Sequence, residues 1–391
     1  MNKKKILLIL GLAGFVTMAD NWVVSPILPS IAQNLNIDVP AASLILTAYM
    51  IPFGIFQLLY GYLAERFGKR QTITAAIVLF TLSTALCAIS TGLNDLTLYR
   101  ALTGAFAAAV MPVSMALIGD IFPIEERQAA IGTFMGFSFL GQGLSMAIGG
   151  SIAYFLNWRG VFAAYAGLAV LSALLLITLG KKIPSQKNEN TKAIAPYTEV
   201  LRKKTSLIVY GLVIFEGVFL VGSFSFLGGF IRKTLNLNNL EIGMIMTVFG
   251  LMALLAGRRS GKIAQKIGRQ KTAILGILFA FIANVLLVIF GNRLPLIVIA
   301  IAAMGFGFML AHSTFITIAT EFAEKNRAFA TSLVAFCYMG GGGVGTAIGG
   351  KILAISGYSS LFLIYGIGLF LIVGALVGLP RKTFDIIKIR K

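Results

Sequence analysis

The chain has 391 residues, of which 58% are hydrophobic and only 12% charged, with a mean hydropathy of +0.89. Soluble globular domains carry about 25% charged residues, so that class is excluded; at about 20 apolar residues per membrane crossing there is room for about twelve helices and no sizeable extramembrane domain. A formal net charge of +19 would point to nucleic acid in a soluble protein, but here the basic residues follow topology, and no nucleic-acid partner is expected.

Lys3, Lys4 and Lys5 precede an apolar run that continues to about Ile31 with no small-residue cleavage site, so it reads as a first retained helix rather than a secretory leader. Further apolar stretches follow near 41–60, 72–92, 96–118, 129–154, 160–180, 206–230, 241–257, 271–291, 295–318, 329–354 and 360–379. An even number of spans with the first Lys cluster inside puts both termini in the cytoplasm of a multi-pass cell-membrane protein. Of 33 Lys and Arg, Arg159, Arg232, Lys233 and Arg293 then fall outside and Arg100 and Lys351 lie within helices. All the others fall on the cytoplasmic side, as the positive-inside rule requires. Cys87 and Cys337 lie in apolar runs, which indicates no disulfide framework. One His is too little for a metal cluster, and no cofactor or metal is expected.

One long polar stretch, 181–205, carries Lys181, Lys182, Lys187, Lys192, Arg202, Lys203 and Lys204 and divides the spans six and six. It reads as a cytoplasmic linker between a bundle over 1–180 and a second over 206–391 that ends in a short cytoplasmic tail. Laying residue n over n+200 brings Gly61, Ala64, Gly68 and Thr72 onto Gly261, Ala264, Gly268 and Thr272. It also brings Arg127 onto Arg327, Gly141 onto Gly341, the run Ala147 to Gly150 onto Ala347 to Gly350, and Tyr165 onto Tyr365. The constant offset makes the chain a tandem repeat, the plan of a rocking transporter with a central site. The fold expected is all-α and integral to the membrane, two pseudo-symmetric six-helix bundles.

The loop Gly61-Tyr-Leu-Ala-Glu65-Arg66-Phe-Gly68-Lys69-Arg70 resembles the signature loop of the major facilitator superfamily, with Glu65 where Asp is usual. Gly261-Lys-Ile-Ala-Gln265-Lys266-Ile-Gly268-Arg269 is its weaker echo, and the resemblance covers essentially the whole chain. Arg100 followed by Gly104 in helix 4 is similar to a motif of the drug and proton antiporter branch. So is the spacing of Gly132, Gly141, Gly149 and Gly150 in helix 5, although Ser145-Met146 replaces the Gly-Pro pair of that motif. Asp20 with Leu28-Pro29 resembles a helix 1 element of drug exporters, with Trp22 and Ser25 in place of Thr and Asn. By resemblance, Glu65, Lys69 and Asp120 form a cytoplasmic gate cluster, with Arg66, Arg70 and Arg127 beside it; the alternative is plain positive-inside anchoring. The resemblance also implies that helices 1, 4, 7 and 10 line a central cavity.

An ionisable group in hydrocarbon costs several kcal/mol and tends to face a cavity or a partner. Among the acids only Asp20 and Glu216 lie well inside helices, and helices 1, 4, 7 and 10 each hold one such group: Asp20, Arg100, Glu216 and His312. Glu216 maps to Val16 under the repeat, one turn from Asp20 on the same face, so the two acids hold near-equivalent places in the halves. A cavity with such acids can exchange protons against a cationic or polar solute. The alternatives are a structural hydrogen bond for Asp20 near Pro26 and for Glu216 likewise, snorkelling or packing for Arg100, and a satisfied interface residue for His312. Asn21, Trp22, Tyr49, Gln57, Gln142, Asn284 and Tyr338 are further candidate lining groups. The run Gly340 to Gly345 lacks the Lys and Ser/Thr of a phosphate loop and reads as a helix-packing surface.

These features point to a monomeric exporter of small lipophilic or cationic compounds that takes up protons in exchange by alternating access. A second reading is export of a metabolite such as a sugar, nucleoside, siderophore or lipid. A third is a non-transporting membrane receptor, which would be expected to carry a soluble signalling domain. An enzyme is disfavoured, because the spans hold no His cluster, nucleophile motif or redox site.

Overall fold

The structure, a computed structural model, describes residues 2–185, 187, 195–202, 204–322, 327–380 and 383–384. Four helices make up the start of the chain: α1 (Lys3–Trp22, continued by Val24–Asn34), α2 (Leu44–Phe67), α3 (Lys69–Ala88) and α4 (Leu93–Ala107, continued by Val110–Ile121). Next come α5 (Ile124–Phe155) and α6 (Trp158–Thr178). The second set opens with α7 (Lys204–Glu216, continued through a π-helical turn at Gly217–Val221 to Leu235) and goes on with α8 (Asn239–Ile267), α9 (Arg269–Phe290) and α10 (Leu294–Phe322). The run Arg327–Gly378 is broken at Gly357, whose φ of 78° and ψ of −178° are not helical; α11 lies before this residue and α12 after it. Eleven described helical runs are thus long and apolar enough to cross a membrane, and the last of them holds two spans. The linker expected at 181–205 falls in part, at 186, 188–194 and 203, outside the described residues, as does the tail 385–391.

Helices form along these runs because a lipid core offers backbone N–H and C=O groups no partner beyond the helix itself. Large apolar side chains such as Leu171, Leu174, Ile355 and Leu371 stand exposed on the flanks, where lipid is the solvent. The ends are set by polar residues: Asn157 caps α6 by accepting from Gly160 N at 2.9 Å, and Asn238 and Glu241 form a reciprocal capping box on α8.

The 200-residue repeat is visible in backbone geometry. Gly68 and Gly268, in the two signature loops, have φ of 96° and 85°, a region that favours residues without Cβ. Asn36 and Asn236, at the ends of α1 and α7, both have φ of 53°. Tyr165 donates to the Ser145 carbonyl at 3.2 Å, and its repeat mate Tyr365 donates to the Gly345 carbonyl.

The two bundles meet along α2 with α11 and α5 with α8. Gly143 and Gly250 let the α5 and α8 backbones approach so closely that a Cβ on Gly250 would strike Gly143. At the end away from the basic loops, the Ser25 hydroxyl lies 3.0 Å from the carbonyls of Phe224 and Ser225. There too Ser30 donates to Asn239 Oδ1 at 2.7 Å, and Arg232 donates to Ser30 at 3.2 Å and to Asn239 at 2.6 Å. At the basic end, Tyr197 of a short helix (Ala195–Leu201) donates to the Leu58 carbonyl of α2 at 2.7 Å and sets its ring edge-on to Phe329 of α11 at 4.9 Å.

Candidate functional site

The four intramembrane ionisable groups form two pairs, one in each bundle, and each joins the first helix of its bundle to the fourth. In the first bundle Arg100 of α4 donates to Asp20 of α1 at 2.6 Å, and both side chains are fully buried. The guanidinium lies over the rings of Tyr49 on α2, at 4.2 Å, and Phe162 on α6, at 5.5 Å. Four helices of one bundle therefore enclose the pair. It does not snorkel, and it sits in the bundle's own interior. Asp20 Oδ1, Arg100 Nε and Nη2 and the Tyr49 hydroxyl are buried without a hydrogen-bond partner.

The second pair differs. His312 Nδ1 of α10 lies 3.1 Å from Glu216 Oε2 of α7; the carboxylate is fully buried but the imidazole is 14% exposed. Glu216 is the last residue before the π-helical turn, a feature that widens a helix locally and recurs at functional sites. The imidazole is stacked on Phe308 at 5.3 Å and tilted against Tyr338 at 4.3 Å. Phe308 in turn stacks on Phe249 at 5.7 Å, and Phe249 on Trp22 at 5.4 Å. Trp22 also meets Phe224 edge-on at 5.1 Å. A continuous chain of rings thus runs from Trp22 in the first bundle to His312 in the second. A small space at the junction is lined by Asn21, Trp22 and Met50 from one side and Phe224, Ser225 and Tyr338 from the other. Glu216 Oε1 and the Tyr338 hydroxyl are buried and have no hydrogen-bond partner. Such a site offers negative charge, aromatic faces and a titratable base within one reach.

The other expected lining residues are more dispersed. Gln57 and Gln142 are buried with Oε1 and Nε2 unpartnered. Asn284 is sealed in the second bundle, donating to the Ala280 carbonyl at 2.9 Å and accepting from Ser223 at 2.8 Å. In α5, Gly141 lies against the backbone of Phe15, Gly149 against Val23 and Gly150 against α8 at Asn239 and Gly243, while Gly132 meets nothing within 4 Å.

At the basic end Lys69 bridges Glu65 at 3.0 Å and Asp120 at 2.7 Å. All three residues belong to the first bundle, so this cluster ties α2, α3 and α4 together rather than one bundle to the other. Arg66 donates to the Tyr62 hydroxyl, Arg70 to the Lys181 carbonyl at 2.6 Å, and Arg127 to the Phe122 carbonyl at 3.5 Å. Gly61 faces open space. In the second bundle the matching bridge joins Arg269 to Glu321. Glu321 stands 201 residues after Asp120, so the repeat could have found it. Phe224, Phe249 and Phe308 carried no such signal, because Phe is common throughout the chain.

A family profile described as Major Facilitator Superfamily matches residues 10–230 and 219–386. The chain belongs to this superfamily. It is a transporter of the major facilitator fold, in agreement with the twelve spans, and a multi-pass membrane protein. Among curated relatives it is 28% identical to "Uncharacterized MFS-type transporter YceJ" of Bacillus subtilis, over 91% of this chain and 93% of that one. It is 26% identical to "Multidrug resistance protein fnx1" of Schizosaccharomyces pombe, over 85% of this chain and 75% of that one. Among solved structures a POT family transporter superposes with a TM-score of 0.81 at 15% identity, covering 97% of this chain and 96% of its own, a likeness of fold.

Proposed function

We propose that the protein exports lipophilic or cationic organic compounds across the cell membrane in exchange for protons, with the basic end and both termini in the cytoplasm. The bundles 1–180 and 206–391, joined by 181–205, would rock about the junction at Trp22. The observation that carries this reading is the Glu216–His312 pair at the end of the aromatic chain that begins on the opposite bundle. A buried carboxylate with a free oxygen attracts a cation, the rings supply apolar area and cation–π contact, and the imidazole is a base that can exchange a proton. The likeness to a multidrug resistance protein agrees with a substrate chosen by charge and lipophilicity rather than by a dense hydrogen-bond array.

The test uses proteoliposomes with the basic face outward and an acidic lumen. They should concentrate tetraphenylphosphonium or ethidium in the lumen while lumenal protons leave. Uptake that ignores the pH gradient rejects the exchange mechanism. Movement of uncharged or carboxylate metabolites to the exclusion of both cations transfers the reading to a metabolite exporter.

A further inference from the structure

A site for cations has no need of a base inside it, yet His312 occupies the position where the carboxylate and the rings converge. We infer that His312 is a tethered surrogate for the transported cation: the protonated imidazole fills the carboxylate-and-aromatic site, and an organic monocation with flat or aromatic substituents enters by displacing it. This rests on the reading of the protein as a proton-coupled exporter and goes further, because it says what holds the site when cargo is absent and why a proton leaves when cargo arrives.

Three observations converge on it. The imidazole has the contacts expected of a bound organic cation: a carboxylate oxygen at 3.1 Å, one ring stacked at 5.3 Å and a second at 4.3 Å. The site around it holds unused polar capacity, since Glu216 Oε1 and the Tyr338 hydroxyl, both buried, remain without partners. The imidazole is also the exposed member of the pair, at 14% against 0% for Glu216, so it is the partner with room to move away. The titratable groups that face it are Glu216 from α7 and Tyr338 from α11; on its own helix Phe308 lies against it, and α8 contributes Phe249 behind Phe308.

The other pair cannot work in this way. Arg100 holds its proton at any physiological pH and is sealed with Asp20. For His312 the balance closes. When the cation takes Glu216, the imidazolium swings off, its N–H bond breaks with the electron pair left on nitrogen, and the proton passes to water. The carboxylate trades one cation for another, so up to about one proton leaves for each monovalent cation bound.

The experiment measures tetraphenylphosphonium affinity and proton release with purified full-length protein in weakly buffered detergent at about pH 7.5, above the usual imidazole value of about 6.5. A carboxylate that spends about nine-tenths of its time on the tethered imidazolium costs a free cation about tenfold in apparent affinity. His312→Gln should therefore bind about tenfold tighter than the parent and release no proton. His312→Lys, a surrogate that keeps its charge, should bind more weakly than the parent and also release none. Both variants delete the imidazole, and a merely structural role for it would move affinity the same way in both. A His312→Gln protein that binds more weakly than the parent, or still releases a proton, overturns the surrogate while leaving cation export standing. A parent protein that neither binds tetraphenylphosphonium nor releases a proton overturns the export reading itself, and the surrogate with it.

Discussion

The two bundles descend from one plan, and each joins an acid on its first helix to a base on its fourth, yet the pairs have opposite characters. Asp20 and Arg100 are sealed among Tyr49 and Phe162 inside a single bundle. Glu216 and His312 stand at the end of a chain of rings that reaches the junction of the bundles, with the base partly exposed. The difference lies in the base as much as in the burial. A guanidinium gives a permanent charge that must stay neutralised, whereas an imidazole can shed its charge and leave its partner available.

The comparison can be broken most severely at the sealed pair. Replacing Asp20 with Asn leaves Arg100 as an uncompensated buried cation, and removing one partner of such a pair costs about 3–5 kcal/mol. Denaturant titration in detergent should show that loss. The double change Asp20→Leu with Arg100→Met should be more stable than either single change, since a buried pair can often be replaced by apolar side chains at little cost. A double variant worse than both singles would mean that the pair stabilises beyond mutual neutralisation.

Glu216→Gln should cost less than about 1 kcal/mol in stability, because a neutral imidazole can still hydrogen-bond an amide. Proteoliposome uptake of tetraphenylphosphonium should nevertheless fall by at least about tenfold, the equivalent of 1.4 kcal/mol, with uncharged compounds less affected. An equal loss for both would make Glu216 a coupling or structural residue rather than one that recognises cations.

Arg232→Ala removes the donor that joins Ser30 to Asn239 across the bundles at the non-basic end. A buried hydrogen bond left half-made costs about 1–3 kcal/mol. Since only one arrangement of the bundles holds this contact, the loss should appear as a population shift, read by labelling single cysteines placed near Gln33 in a background without Cys87 and Cys337. Unchanged labelling would show that the aromatic junction alone keeps this end shut.

The smallest effect belongs to Asp120→Asn. Asp120 is half exposed and its partner Lys69 also holds Glu65, so the change should cost about 0.2–1 kcal/mol. Because the whole cluster lies in one bundle, cysteine accessibility on α4 and α10 should change by less than about fivefold. A larger shift would show that the cluster sets how α2 meets α11.

Twelve spans and the repeat were legible because hydropathy and glycine spacing are properties of the chain itself. Which acid meets which base was not. Asp20 and Arg100 stand 80 residues apart, and Glu216 and His312 96. Their meeting depends on how each helix is rotated about its axis. In a soluble bundle an apolar stripe reports that rotation, but helices such as α6 are apolar on every side, facing lipid on one and protein on the other. The π-helical turn after Glu216 has no residue signature either, although it sets how that carboxylate is aimed. Asn36 and Asn236 were readable in hindsight: each is an Asn at the end of a span, 200 residues from its twin, and Asn tolerates the left-handed region better than most residues.

The clip formed by Tyr197 decides which bundle carries the linker helix. Burial pushes its phenol up to about 12, so it stays a hydrogen-bond donor at any cellular pH. If the bundles part at the basic end, Tyr197 must let go of either Leu58 or Phe329. Only residues 202 and 203 separate its helix from α7, too short a leash for that helix to stay behind on α2 while α7 moves off. The linker helix is therefore cargo of the second bundle, and the bond to Leu58 is the one that gives way.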